Sequence, residues 1–261
     1  MSKTEKELAF LRDLYVETDW TERFTNLLDD NFKFSGEEKI LYVNAGAGNH
    51  ALALREKLDD EIEIFGVSES QELLNIARAK ADSIQANVDF SIVYPKGKFD
   101  AVIADATFVK PSELQAFLSK IVASSKKQVA VFLPTTSSFG EFYSLLWETF
   151  LKLDMLEKGA EVERLILELP TILKIEETAG DLGLTKVETI VRSEFFDFDD
   201  GATFVNSPLA ADFLLPAQLD FLDGSEKERV VNKLAETIAN DCGETNFQFS
   251  VKATLLVGEK V

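Results

Sequence analysis

The densest chemistry in this 261-residue chain lies in Glu38-Lys-Ile-Leu-Tyr-Val-Asn-Ala-Gly-Ala-Gly-Asn-His-Ala-Leu-Ala-Leu54. An apolar run, Ile40–Val43, leads into Gly46 and Gly48 and then into a helical pattern, with Asn49 as the expected N-cap. Glycine lets the backbone turn tightly and approach a ligand, and the free N–H groups of a helix start favour an anionic group. On spacing alone, Gly46-x-Gly48-x-x-Ala51 also fits a dinucleotide fingerprint. Asp105 closes a later apolar run, where a carboxylate can hold an amine, act as a base, or simply cap the turn before Ala106-Thr107. His50 is the only histidine, which excludes two-His metal sites and HExxH chemistry. Its place in the first helical turn disfavours the charged imidazole, so a structural role is expected. Asp197, Asp199 and Asp200 are rich in oxygen but lack the EF-hand spacing and its bidentate Glu, so they read as a solvated loop, and no metal is expected. Cys242 is the only cysteine, so it can form no intrachain disulfide and no CxxC pair; a reducing, cytoplasmic setting fits.

The elements that must position these residues alternate. Short β-branched runs at Lys39–Asn44, Ile62–Val67, Asp89–Val93, Asp100–Ala104 and Gln128–Pro134 are mostly separated by helical patterns at Asn49–Leu58, Ser70–Ala81 and Ser112–Ser124. That order predicts βαβ crossovers and a doubly wound parallel sheet. Residues 1–35 hold two amphipathic patterns, one burying Leu8, Leu11, Leu14 and Tyr15, the other following Thr18-Asp19 and burying Trp20, Phe24, Leu27 and Leu28. Phe139–Leu156 is expected as one long apolar helix. Helices over Thr171–Leu182 and Glu226–Ala239 and strands over Leu184–Phe196 and Gln248–Val257 complete the chain, the last two strands antiparallel neighbours around an irregular acidic insertion.

In its glycine turn and the strands around it, the sequence resembles the class I S-adenosylmethionine-dependent methyltransferases. Tyr42, Asn44, Gly46 and Gly48 match the family's acidic-x-Gly-x-Gly-x-Gly turn. Ile64-Phe-Gly-Val-Ser-Glu-Ser70 and the Ala-Arg of its following helix are similar to the family's Gly-Val-Asp-x-Ser strand and helix. Phe99-Asp-Ala-Val-Ile-Ala-Asp105 resembles the fourth strand and Gln248–Lys260 the closing strand. The resemblance implies a Rossmann-like, seven-stranded mixed sheet with its last strand antiparallel. It also implies one domain over 1–261: a helical cover (1–35), a nucleotide-binding core (36–134), a helical lid or interface (139–170) and a C-terminal half (171–261). S-adenosylmethionine is the implied cofactor, contacted by Tyr42, Asn44, Ala45, Gly46, Gly48, Ser68, Glu69, Tyr94 and Asp105. Several positions depart from the pattern. Tyr42 replaces an acid, Asn44 replaces the first glycine, Ser68 stands where the ribose-binding acid belongs, and Tyr94 stands near the place of the adenine-reading acid. Glu69 points away if the strand register holds. On this reading Ser68→Asp tightens cofactor binding by about 1–2 kcal/mol.

Methyl transfer to a small-molecule acceptor is one functional reading, with Phe139, Tyr143 and Trp147 over the acceptor and no catalytic residue singled out, because alignment in a dry pocket supplies much of the catalysis. A non-catalytic binding or assembly module that keeps the fold is the other, supported by Tyr42, Asn44 and Ser68; a nicotinamide oxidoreductase ranks below both. The net charge of −19 repels nucleic-acid backbones and anionic membranes. From Ser193 to Glu226 there is no Lys or Arg, which favours a neutral or cationic partner over a polyanion. The charged start and the lack of any long apolar stretch fit an unexported protein. Phe139–Leu156 reads as an apolar lid, or else as a core helix or homodimer interface, the last two together weighing at least as much as the lid.

Overall fold

The computed structural model describes residues 3–34, 36, 38–243 and 245–260; Met1, Ser2, Ser35, Glu37, Glu244 and Val261, which fall within predicted segments, lie outside the described residues. The chain divides into two compact units, one comprising the described residues of Met1–Pro134, Thr171–Arg192 and Ala253–Val261, the other Thr135–Pro170 and Ser193–Lys252.

The strands are β1 (Lys39–Val43), β2 (Glu63–Val67), β3 (Val88–Ser91), β4 (Phe99–Asp105), β5 (Ser125–Pro134), β6 (Leu184–Phe198) and β7 (Phe247–Lys260), in the order β3-β2-β1-β4-β5-β7-β6. In the first unit β1 pairs in parallel with β2 and β4, β2 with β3, and β4 with β5, whereas β7 runs antiparallel to β5. This is the mixed, doubly wound sheet expected from the alternating runs. The strand order reverses between β1 and β4, so their carboxyl ends open the crevice in which such sheets take ligands. Every residue of β4 is buried, which explains its unbroken apolar run. Of its two aspartates, Asp100 accepts the N–H groups of Glu38 and Lys39 at 3.0 and 3.1 Å and so pins the start of β1.

Helices of this unit are α1 (Glu5–Leu11), α2 (Glu22–Asn31), α3 (Asn49–Lys57), α4 (Gln71–Ile84) and α5 (Pro111–Ser124). Ser70 caps α4 by accepting from Leu73 N, and Pro111 opens α5, where its missing N–H costs nothing. The N-terminal pattern departs from expectation. There is no break at Thr18-Asp19; α1 and α2 are joined by Arg12–Thr21, a π-helical stretch whose wider turns close i to i+5, as in the bond from Glu22 N–H to Glu17 O. That winding exposes Leu14 (59%) and Tyr15 (52%), predicted to be inside, and buries Val16, Glu17 and Trp20. The face of α2, with Phe24, Leu27 and Leu28, is buried as predicted.

The second unit holds α6 (Gly140–Lys152), α7 (Gly159–Glu168), α9 (Gly201–Asn206), α10 (Leu215–Gln218) and α11 (Gly224–Cys242), with α8 (Ile172–Asp181) belonging to the first. The apolar helix is shorter than Phe139–Leu156, since Leu153 already leaves the helical ladder and a 3-10 turn follows at Leu156–Lys158. Phe142, Tyr143, Leu146 and Phe150 are buried, so its apolar width is taken up by core packing, much of it against α11. The acidic insertion is helical rather than irregular, because Asp200 caps α9 by accepting from Thr203 N and Asp223 caps α11 in a capping box. Asp197 accepts from Gln248 Nε2 at 2.7 Å. Phe196, Phe198, Phe204, Phe247 and Phe249 form one ring cluster, with the closest centroids 4.9 Å apart. Among the described residues no helix is long and apolar enough to cross a membrane, and no group of three His, Cys, Asp or Glu is placed to hold a metal.

Candidate functional site

The strand β1 ends at Val43, and Asn44 enters the turn with φ +56°, one of the few left-handed conformations a non-glycine side chain tolerates. Its side chain leaves the turn, because Nδ2 donates to Asp105 O at 2.8 Å and ties β1 to β4. Ala45 N donates to Val67 O and Ala45 O accepts from Gly48 N, both at 2.8 Å. Gly46 (φ +55°) and Gly48 (φ +84°) supply the left-handed backbone that the tight turn requires. The N-cap of α3 is Gly48 and not Asn49, whose amide instead donates to Asp13 Oδ1 at 3.1 Å and accepts from Lys80 at 2.5 Å. Gly48 also lies under the Phe90 ring. A Cβ there would stand 2.7 Å from Phe90, and one on Gly66 2.4 Å from the same ring.

Two predicted positions behave differently from expectation. Glu69 turns inward, and its Oε2 accepts from Gly46 N at 3.0 Å, so the carboxylate missing at position 68 is delivered to the turn from the next residue. Ser68 is 2% exposed and its hydroxyl donates to Gly46 O at 2.9 Å. An aspartate at 68 would set a carboxylate oxygen against that carbonyl, two acceptors face to face. Ser68→Asp is therefore expected to lower stability by about 1–3 kcal/mol instead of tightening a ligand, as thermal or urea unfolding of the variant will show.

Sequence reasoning missed the residues that fill the space above the turn. Arg12 Nη2 pairs with Glu69 Oε1 at 2.5 Å, and Arg12 Nε lies 3.6 Å from Glu17 Oε1. Glu17 stands directly over Gly46, where a Cβ would be 2.0 Å from Oε1. The Glu17 side chain is 5% exposed. On an α-helix two residues five apart point about 140° from each other. The π winding stacks i over i+5, and that brings Arg12 and Glu17 to one side. Burial pushes the Glu17 carboxyl up to about 8, with Arg12 opposing and Asp105, Glu69 and Asp13 adding to it. Asp105, 3% exposed at the end of β4, is raised to about 6 by burial despite Arg12 and the Thr107 N–H, which donates to Oδ1 at 2.7 Å. Burial would lower the Arg12 guanidinium, but Glu69, Glu17 and Asp105 outweigh it and raise it.

The remaining predicted residues make their polar and ring contacts outside the Arg12 pairs. The Tyr42 hydroxyl contacts His50 Nδ1 at 3.0 Å, and His50 Nε2 contacts Asp29 Oδ1 at 3.1 Å. His50 thus ties α3 to α2. Tyr94 turns to α5, where the Lys120 ammonium lies 3.2 Å from its ring centroid. In the second unit, Phe139 lines a small apolar cleft with Phe142, Phe204, Leu214, Gln218 and Phe249, and the Tyr143 hydroxyl donates to Gln218 Oε1 at 3.0 Å. Trp147 does not line that cleft; it is 40% exposed and lies on Gly159, where a Cβ would meet its ring at 1.9 Å.

The turn lies at the switch-point crevice, where sheets of this topology take ligands, and Arg12 and Glu17 occupy the space over Gly46 and Glu69. No protein-family model matches the sequence, and no curated protein does. Solved structures match the fold. They include the YcgJ protein of Bacillus subtilis, at 14% identity over 92% of this chain and 98% of that one, with a TM-score of 0.55. Phosphoethanolamine N-methyltransferase 2 of Haemonchus contortus, bound to phosphomonomethylethanolamine and S-adenosylhomocysteine, matches at 13% identity over 99% of this chain and 59% of that one, with a TM-score of 0.55. The [4+2]-cyclase SpnF matches at 19% identity over 93% of this chain and 82% of that one, with a TM-score of 0.50. A strand order that reverses between β1 and β4, an antiparallel β7 and a glycine turn at the end of β1 are what this chain shares with such structures, and it carries the class I methyltransferase fold.

Proposed function

We propose that this chain binds S-adenosylmethionine at the Gly46–Gly48 turn and transfers its methyl group to a small-molecule acceptor. The observation that carries this reading is Glu69, whose carboxylate reaches the Gly46 N–H and so restores an acid to a turn that Ser68 leaves without one. Bound there, the cofactor would supply an electrophilic methyl group. The chain's own contribution is to shape the turn with two left-handed glycines and to present a carboxylate at its edge. The acidic surface and the Lys- and Arg-free stretch from Ser193 to Glu226 support a neutral or cationic acceptor. A second reading, a non-catalytic module on the same fold, is favoured by the Arg12–Glu69 pair and by Glu17 over Gly46, which close the turn.

Calorimetric titration with S-adenosylmethionine and S-adenosylhomocysteine separates the two. Binding of wild type in the low micromolar range or tighter, about −7 to −8 kcal/mol, is the expected result. An absence of heat in wild type and in an Arg12→Gln/Glu17→Gln variant that unfolds cooperatively would leave only the second reading.

A further inference from the structure

The segment Arg12–Thr21 carries two competing faces. In the π winding Arg12, Val16, Glu17 and Trp20 turn inward, while Leu14 and Tyr15 stand exposed at 59% and 52%. In α winding the sequence presents Leu8, Leu11, Leu14 and Tyr15 as one continuous apolar stripe instead. The face now buried carries a cost for this segment: it places the Glu17 side chain, 5% exposed, over a glycine whose missing Cβ leaves the space, and it leaves two large apolar side chains in water. What holds it is Arg12, locked onto Glu69 and lying 5.4 Å over the Phe108 ring, together with Trp20, fully buried and 5.3 Å from Phe24. Trp20 lies at the far end of the segment and can stay anchored while the residues before it rewind.

We propose that Arg12–Thr21 is a displaceable plug of the ligand site, in which Arg12 and Glu17 hold the place of the ligand over Gly46 and Glu69, and that rewinding to α register withdraws them and brings Leu14 and Tyr15 inward. The proposal rests on the cofactor reading above. A π stretch within a longer helix is a suitable two-state element, since a change of hydrogen-bond partner from i+5 to i+4 rotates the side chains before it without unfolding the helix. The ligand then binds only the open form, and its apparent affinity is lowered by the fraction of molecules that remain closed.

The test is hydrogen exchange of residues 5–21 in the full chain with and without S-adenosylhomocysteine, together with calorimetric titration of three proteins. Arg12→Gln removes the cation that holds the plug on Glu69 and is expected to bind S-adenosylhomocysteine roughly tenfold more tightly than wild type, or better. Leu14→Ala/Tyr15→Ala alters only exposed side chains of the closed form, so it is expected to unfold like wild type yet bind roughly tenfold more weakly. Ligand should change amide protection throughout 12–21 in wild type. If all three proteins bind alike and protection in 12–21 does not change, the plug is wrong and the cofactor reading stands. If none of the three binds, both fall together.

Discussion

Arg12→Ala is expected to cost about 3–5 kcal/mol of stability at pH 8, the usual penalty for removing one partner of a buried ion pair. Among the described residues Arg12 is the cation set among Glu17, Glu69 and Asp105, and its side chain is only 11% exposed. Without it three carboxylates share a crevice from which water is largely excluded, and each must either repel the others or take up a proton. The cost should shrink towards pH 5, because Glu17, raised to about 8, and Asp105, raised to about 6, then already carry protons. Arg12→Lys should recover part of the loss, since an ammonium can face Glu69 but lacks the planar fork that reaches Glu69 and Glu17 together. Urea unfolding of the three proteins at pH 5 and pH 8 measures all of this. A loss under about 1 kcal/mol at pH 8, the range of exposed pairs, would mean that the pair is not buried in solution.

Glu17→Gln should act in the opposite direction. Burial raises the Glu17 carboxyl from 4.5 to about 8. Below pH 4.5 it is protonated in both folded and unfolded chains, so glutamine and glutamate should give equal stability. Between 4.5 and 8 the folded chain keeps a proton that the unfolded chain has released, and wild-type stability falls as pH rises. Glutamine has the same shape and no charge to bury, so the variant should gain progressively over that window, by on the order of 3 kcal/mol at pH 8.5. The groups that set this balance are Arg12 and Asp13 on the same segment, Asp105 at the end of β4 and Glu69 beyond β2. A variant no more stable than wild type at pH 8.5 would show that Glu17 lies in water.

The sheet was legible because strands buried on both faces leave long apolar runs, and each such run in 36–134 lies on a strand, with boundaries shifted by a residue or a few. The glycine turn was legible from its spacing. The crevice above it was not, and the reason is winding. A 3.6-residue template applied to residues 5–21 selects Leu14 and Tyr15 and discards Glu17, whereas the chain winds with a longer period there and selects the reverse. Glu69 was hidden by a similar assumption. Strand alternation points it away from Ser68, but β2 ends at Val67, and beyond that residue alternation no longer constrains the side chain. The long apolar helix showed its composition but not its partner, since the same stripe serves a lid, an interface or a core.

Phe90 gives the glycine spacing a second meaning. One benzyl ring lies so close to Gly48 and Gly66 that neither position has room for a methyl group, and this crowding belongs to the join between the sheet and its helices rather than to any bound molecule. A lineage that gave up the cofactor would still be obliged to keep Gly48, because alanine there would have to displace the ring and adopt a left-handed backbone as well. The ring alone thus accounts for a glycine at 48. Gly46 is constrained differently, by its own left-handed backbone and by the Glu17 carboxylate, 2.0 Å from where a Cβ would stand.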